Sequence, residues 1–134
     1  MSHPSENSVN GYIDSDVYKV KFSSFDSVLS MIYKLGCRAK IGKIDISQAF
    51  RLLIIHPSDF DLLGIYFEGY YYIDKCLPMG CAISCSLFEK FSTSIHWLVE
   101  QNSSLKTVDH YLDDFIFAGA PSSNDCFFID GNMF

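Results

Sequence analysis

The chain has 134 residues, of which 49% are hydrophobic and 16% aromatic, so it is long enough for one domain and too apolar for a disordered segment. Its formal net charge of −6 argues against an autonomous nucleic-acid-binding domain, because such domains neutralise phosphates with a basic face. No run of about 18 apolar residues occurs, and residues 1–10 lack the apolar core of a secretion signal. The sequence therefore predicts an intracellular protein without a membrane span, whose five cysteines are reduced and mostly buried.

The first half of the chain predicts a helix followed by a strand. After the polar residues 1–16, residues 17–22 alternate in character and predict a short extended segment. Ser23 or Ser24 can cap a helix that ends before Gly36. Residues 39–46 predict a strand whose end carries Asp45, and residues 48–53 predict a short helix. A carboxylate at that junction suits a metal site, and a capping or turn role is the alternative interpretation.

The middle of the chain predicts a hairpin and a long helix. Residues 62–67 and 70–73 form the arms of the hairpin, with Glu68-Gly69 as its turn. The three tyrosines of the second arm, residues 70–72, either stack on bases or are half-buried sheet residues. A stiff loop over residues 77–80 precedes a helix over residues 82–101. The predicted apolar face of this helix comprises Ile83, Leu87, Phe91, Ile95 and Leu98, with Phe88 and Val99 flanking it.

A second predicted hairpin centres on two adjacent acids, Asp113 and Asp114, which its tight turn is expected to carry. Neighbouring carboxylates repel each other, so a fold gains no stability from placing them side by side. A divalent cation such as Mg²⁺ would remove that penalty, because hard oxygen ligands suit it. The alternative is an acidic surface turn, since Asp is common in turns.

A zinc module is a further interpretation of the same stretch. Cys81 and Cys85 lie one helical turn apart, and His96 and His110 follow downstream. No Cys-x₂-Cys pair is present, and zinc sites have tighter spacing rules than this. The spacing therefore disfavours zinc.

Three motifs in this order closely resemble those of the reverse transcriptase palm. The first is Asp45 followed by Ala49 and Phe50, and the third is Tyr-x-Asp-Asp at residues 111–114. The second is the Leu-Pro-x-Gly loop at residues 77–80 with its later partners Ser84, Leu87 and Phe88. Over residues 8–126 the sequence is similar to the polymerases of DIRS-type retrotransposons, elements that also encode a tyrosine recombinase. The resemblance implies a two-layer α+β fold, an antiparallel palm sheet with helices packed on one face.

The resemblance also implies an activity, that of an RNA-directed DNA polymerase. Such an enzyme transfers a nucleotide from a dNTP to a primer 3′-hydroxyl with two Mg²⁺ (or Mn²⁺) ions. The implied catalytic residues and metal ligands are Asp45, Asp113 and Asp114. The implied nucleotide-binding residues are Ile46, Ser47, Gln48, Ala49, Phe50, Met79 and Gly80, and the primer-proximal ones are Tyr111 and Leu112. Phe50 would exclude a 2′-hydroxyl, and Met79 stands where the superfamily often has Gln.

Domain boundaries follow from the same resemblance. Residues 1–16 would be the end of the fingers region, residues 17–120 the palm, and residues 121–134 a divergent tail. Fingers and thumb segments are not found around the palm motifs, so we expect a truncated palm that binds dNTP and an RNA or DNA template-primer only when those parts complete it. The alternative is an inactive remnant that either serves as a binding module or has no biochemical function, and whose exposed apolar surface favours self-association.

Overall fold

The computed structural model describes residues 9–14, 16–103 and 107–124. The chain divides into two compact units, a hairpin unit (Met1–Val20 and Gln48–Phe88) and a sheet unit (Lys21–Ser47 and Glu89–Phe134). The helices are α1 (Phe25–Leu35) and α2 (Ser84–Asn102), with 3₁₀ turns at Val9–Tyr12, Ala49–Leu52 and Pro57–Leu63. The strands are β1 (Lys40–Asp45), β2 (Gly64–Phe67), β3 (Tyr70–Ile73), β4 (Val108–Tyr111) and β5 (Asp114–Gly119). The predicted α+β class with antiparallel sheets is confirmed.

In the sheet unit, α1 begins and ends where its capping residues predict. Ser24 is the N-cap, and its hydroxyl oxygen accepts a hydrogen bond from the Ser27 backbone N–H at 3.2 Å. At the other end Gly36 has φ +83°, and its N–H donates to the Tyr33 carbonyl at 3.2 Å. A left-handed φ is cheap only for glycine, so the helix stops there.

The sheet unit contains a three-stranded antiparallel sheet in the order β1-β5-β4. In the register of β1 with β5, Ile44 lies opposite Phe115 and Asp45 opposite Asp114. Strand β4 is joined to β5 by a tight turn, so that Tyr111 also pairs with Asp114. The central strand β5 therefore fixes the position of both its neighbours.

The two faces of this sheet differ in chemistry. Phe115 and Phe117 are 2% and 1% exposed, and they form a core with Val99 of α2 and Val108 of β4. Three partly buried isoleucines complete that core: Ile44, Ile46 and Ile95. Because side chains alternate along a strand, the opposite face carries the polar residues of the same strands, among them Lys43, Asp45, Asp109 and Asp114. The apolar face thus anchors the sheet, and the acidic face is left available for chemistry.

The buried positions of α2 differ from the predicted apolar face. Leu87 and Leu98 are 37% and 50% exposed, whereas Phe88 and Val99, predicted as flanking residues, are buried. Serines share the buried side of the helix: Ser84, Ser86 and Ser92. The prediction was wrong for Leu87 and Leu98 because it counted only apolar residues, and small hydroxyl side chains also allow close helix packing. Ile95 of the predicted face does pack on the core. Ser84, for example, is fully satisfied, since its hydroxyl donates to the Pro78 carbonyl at 2.6 Å.

In the hairpin unit, β2 and β3 pair in the predicted register around a two-residue turn. Phe67 lies opposite Tyr70, and Glu68 and Gly69 have φ +48° and +83°. Two positive φ values in succession define the turn type whose twist matches a hairpin, so this prediction is confirmed. All eight strand residues are exposed, which includes the three tyrosines predicted to be half-buried or base-stacking.

A second set of contacts ties the residues on either side of this hairpin together. The guanidinium of Arg51 binds both carboxylate oxygens of Asp74 at 2.7 Å. The hydrogen bond from Arg51 lowers the pKa of Asp74, and the Cys76 backbone N–H contributes in the same direction. Backbone pairing continues beyond it, since Leu77 N–H donates to the Leu53 carbonyl at 2.8 Å. These contacts fix both ends of the segment that carries β2 and β3.

Three smaller predictions need correction. Residues 17–22 contain no strand, and the short helix predicted over residues 48–53 is a 3₁₀ turn. The described cysteines are free, but Cys37 and Cys85 are exposed rather than buried, and Cys126 lies outside the described residues. Over the same part of the chain, neither helix combines the length and apolar character needed to cross a membrane.

Candidate functional site

The sheet register brings together carboxylates that are far apart in the sequence. Asp45, the last residue of β1, lies directly opposite Asp114, the first residue of β5. Residues in such cross-strand positions have Cα atoms about 4.5–5.5 Å apart and side chains on one face. Asp113 precedes Asp114 in the turn, and its carbonyl accepts a hydrogen bond from the Ile46 N–H at 3.0 Å. Three acids therefore meet at one end of the sheet.

The turn that carries these acids lies one residue earlier than predicted, and it is strained. It consists of Leu112 and Asp113, so Asp114 belongs to β5 and not to the turn. Leu112 has φ +53°, in the left-handed region. That conformation costs a residue with a Cβ about 1–2 kcal/mol. Strain of this kind persists only where surrounding contacts enforce it, and it is concentrated at functional sites.

A lysine stands among the carboxylates. Lys43 Nζ lies 2.9 Å from Asp114 Oδ1. The hydrogen bond with Asp114 raises the pKa of Lys43, and the charges of Asp114, Asp45 and Asp113 raise it further. All three carboxylates thus interact electrostatically with one ammonium group, whose positive charge reduces the repulsion among them. The sequence analysis missed this residue, although its position two before Asp45 on the same strand face could have shown it.

The carboxylate oxygens are the ligands that Mg²⁺ prefers, so the donor chemistry fits this ion. The side chains are nevertheless not arranged as a ready-made cage. Among residues 9–14, 16–103 and 107–124, no group of three or more His, Cys, Asp or Glu side chains could hold a metal ion as it stands. Asp114 is engaged by Lys43 at 2.9 Å, so a cation would compete with the lysine for its oxygens.

A cavity of about 330 Å³ adjoins the acids on the same face of the sheet. Its lining includes Lys43, Asp114 and Tyr111 from the sheet and Phe25 and Val28 from α1. A fourth acid, which was not identified from the sequence as a site residue, also lines this cavity. The cavity therefore offers an apolar wall beside a charged rim.

This fourth acid is Asp109, and it is held by hydroxyl groups. Burial raises the pKa of Asp109, but hydrogen bonds from the Ser23 and Ser27 hydroxyls and the His110 backbone N–H outweigh burial and lower it. The two hydroxyl oxygens lie 2.6 and 2.7 Å from Asp109 Oδ2. Asp109 thus joins the start of α1 to β4, which is a structural role.

Behind the acids, on the core side of the sheet, two histidines meet. His110 Nδ1 lies 2.8 Å from His96 Nδ1, and the His110 ring stacks on Phe115 with centroids 5.2 Å apart. Glu89 Oε1 lies 3.1 Å from His110 Nε2. Burial lowers the pKa of His110, and the charge of His96 lowers it further. The negative charges of Glu89 and Asp109 act in the opposite direction without reversing the shift. The fold therefore favours the neutral imidazole.

This preference predicts a pH dependence of stability. Below the ordinary histidine pKa of about 6.5 the unfolded chain binds a proton that folded His110 resists, so the free energy of unfolding falls as the pH falls below that value. The slope from one such group cannot exceed about 1.4 kcal/mol per pH unit. Urea unfolding at pH 7.5 and 5.5 measures it. His110→Gln should reduce the slope, whereas the exposed His56→Gln should not; equal slopes in both variants would contradict the prediction.

The predicted nucleotide-binding residues are divided between the two units. Ile46 and Ser47 follow β1 in the sheet unit, with Ile46 packed on the core and Ser47 exposed. The other five belong to the hairpin unit: Gln48, Ala49, Phe50, Met79 and Gly80. Phe50 stacks on Phe88 with ring centroids 4.9 Å apart, and Ala49 is buried beside it in the sequence. The aromatic motif residue is thus rigidly supported within its own unit.

The loop of Met79 and Gly80 is clamped by a residue whose role the sequence analysis missed. The Asn10 amide donates to the Gly80 carbonyl at 2.9 Å, and its oxygen accepts from the Ala82 N–H at 2.8 Å. Gly80 has φ +86°, which glycine adopts without strain, and Met79 is 81% exposed. A side-chain amide suits this clamp, because its NH₂ group donates one hydrogen bond while its carbonyl oxygen accepts the other. A cavity of about 640 Å³ borders the loop within the hairpin unit.

No family model matches the chain, and no curated protein matches it at a significant level.

Proposed function

We propose that this chain carries the catalytic acids of a reverse-transcriptase palm, of the kind found in retrotransposons of the DIRS type. The observation that supports it most directly is the cross-strand pair of Asp45 and Asp114 with Asp113 in the adjoining turn. Carboxylates at one end of the sheet suit divalent cations, and phosphate oxygens would complete the shell of such a cation. The reaction class is nucleotidyl transfer from a dNTP to a primer 3′-hydroxyl.

In this proposal Asp45 and Asp113 are the principal ligands of two Mg²⁺ or Mn²⁺ ions, and Asp114 is a supporting one. Bound there, such ions activate a hydroxyl nucleophile and stabilise the pyrophosphate leaving group. The cost of bringing the acids together without a cation is reduced by Lys43, which ion-pairs with Asp114. Lys43 is then the residue that must yield when a cation binds.

The resemblance assigns the remaining motif residues of each unit to substrate contacts. The backbone of residues 46–49 would meet the triphosphate, with Phe50 against the sugar and Met79-Gly80 against the nucleotide by packing. Tyr111 and Leu112 would lie near the primer end. Tyr111 is 51% exposed, and Phe22 packs on its ring with centroids 5.0 Å apart, so its ring is both accessible and held in place.

Binding of Mn²⁺ and a dNTP by the 134-residue chain tests the proposal. We expect water-proton relaxation to report Mn²⁺ binding, and the affinity to rise when a dNTP is added, because phosphate oxygens complete the metal shell. A chain that binds neither Mn²⁺ nor the Mn²⁺–dNTP complex would overturn the assignment. A primer-extension assay with Mg²⁺ and dNTPs tests whether this chain alone is catalytic. Nucleotide incorporation that is lost in the Asp113→Asn variant depends on the proposed site.

One observation favours a second candidate, a binding module that self-associates. The exposed β2–β3 hairpin presents seven large apolar residues: Ile65, Tyr66, Phe67, Tyr70, Tyr71, Tyr72 and Ile73. Exposed apolar surface of this kind promotes association. A concentration-dependent oligomer in size-exclusion chromatography, together with no Mn²⁺ binding, would favour this candidate over the polymerase palm.

A further inference from the structure

The strained turn beside the catalytic acids has a supporting group on α2 that the motifs do not include. Glu89 Oε2 accepts a hydrogen bond from the Leu112 backbone N–H at 3.3 Å. In a two-residue hairpin turn the N–H of the first turn residue has no partner in the strand ladder, so it requires one from outside. Glu89 supplies that partner at the residue whose φ is +53°.

The other oxygen of the same carboxylate faces the histidine pair. Glu89 Oε1 lies 3.1 Å from His110 Nε2, and the two side chains are only 12% and 10% exposed. The His110 ring is itself fixed, because it stacks on Phe115 and meets the His96 ring edge-on at 5.0 Å. The Glu89 carboxylate is largely buried against this fixed imidazole and so has little freedom to move, which keeps its second oxygen at the turn.

Alternatives on α2 do not offer the same geometry. Lys90, the next residue, is exposed, and Glu100 lies 3.6 Å from His96 Nε2 at the far side of the pair. Among the described residues, Glu89 is the carboxylate that contacts both the turn and His110.

We propose that Glu89 is a positioning residue that holds the Leu112–Asp113 turn in its left-handed conformation and so presents Asp113 to the metal site. This inference rests on the proposed function for the metal, but the contact with the turn stands independently of it. Glu89 acts through the backbone of Leu112 and touches no reacting atom.

Amide exchange measured by NMR on the ¹⁵N-labelled, metal-free chain tests the contact with the turn. Glu89→Ala should speed exchange of the Leu112 amide by about tenfold or more, while exchange at Phe117 in the core strand stays unchanged. Glu89→Gln keeps one acceptor oxygen and should give an intermediate rate, and it serves as the test variant if Glu89→Ala does not fold. Lys90→Ala is the matched control and should leave the Leu112 rate unaltered.

Mn²⁺ titration of the same variants tests the consequence for the metal. We expect the Kd to rise about tenfold in Glu89→Ala, the size of effect typical when a group that orients a ligand is lost. Unchanged Leu112 exchange in a folded Glu89→Ala protein would overturn the inference, as would faster exchange with an unchanged Kd. A wild-type chain that binds no Mn²⁺ would instead refute the proposed function, and the Leu112 rate would still decide the role of Glu89 in the turn.

Discussion

If the proposed function holds, the variants Asp45→Asn and Asp113→Asn should each weaken Mn²⁺ binding by about 100-fold or more, because each would remove a charged oxygen ligand from a site with few such ligands. Asp45 is exposed at the end of β1 and Asp113 lies in a turn, so neither replacement disturbs the apolar core. Titration followed by water-proton relaxation gives the affinity. Asp61→Asn, an exposed acid in the Pro57–Leu63 turn of the hairpin unit, is the control and should bind as the wild type does.

The same replacement at position 45 should have the opposite effect on stability. Like charges directly across a sheet are destabilising by up to about 1 kcal/mol, and Asp45 faces Asp114 in register. Without metal, Asp45→Asn should therefore unfold at slightly higher denaturant than the wild type. At a residue with a purely structural role, one substitution would not weaken Mn²⁺ binding and raise stability at the same time. Unchanged Mn²⁺ affinity in both variants would contradict a metal site here. A clear loss of stability in Asp45→Asn would contradict the repulsion between Asp45 and Asp114.

Phe117→Ala should have the largest effect on the fold, a loss of about 3–5 kcal/mol in the free energy of unfolding. Phe117 is 1% exposed and lies in the central strand, where it packs with Phe115, Val99 and Val108. Truncation leaves a cavity, and β5 cannot shift to fill it because it is hydrogen-bonded to β1 on one side and to β4 on the other. Since small domains have only about 5–15 kcal/mol in total, much of the population would unfold on mild heating.

Ile41→Ala is the matched control for this prediction. Ile41 lies on the neighbouring strand β1 with 57% of its side chain exposed, so its truncation should cost less than about 1 kcal/mol. Urea denaturation of the two variants and the wild type measures the difference. Equal losses in the two variants would show that the core does not lie between this sheet and α2.

The local elements of the fold could be predicted because their causes are local. Ser24 and Gly36 determine where α1 begins and ends through capping and a positive φ, and neither depends on distant residues. The Glu68-Gly69 turn sets the hairpin register in the same way. The order of the motifs predicted that Asp45 and Asp113 lie in one site, and the register of β1 with β5 places Asp45 opposite Asp114, the neighbour of Asp113.

The features that the sequence analysis missed depend on packing. The buried side of α2 includes serines, and no count of apolar residues identifies it. The Lys43–Asp114 pair requires the register of β1 against β5, which joins residues about seventy positions apart. The Asn10 clamp on Gly80 likewise connects segments that sequence periodicity cannot relate. The position of the acidic turn was misjudged by one residue, since Leu112 is not a residue that favours φ +53°.

The exposed thiols offer a practical use. Cys37 belongs to the sheet unit and Cys85 to the hairpin unit, and both are free and open to solvent. Thiol-reactive fluorophores at these two positions, with the other cysteines replaced by Ser, would form a donor–acceptor pair with one dye on each unit. Energy transfer between the dyes would then report any change in the distance between the units when Mn²⁺ and a dNTP are added.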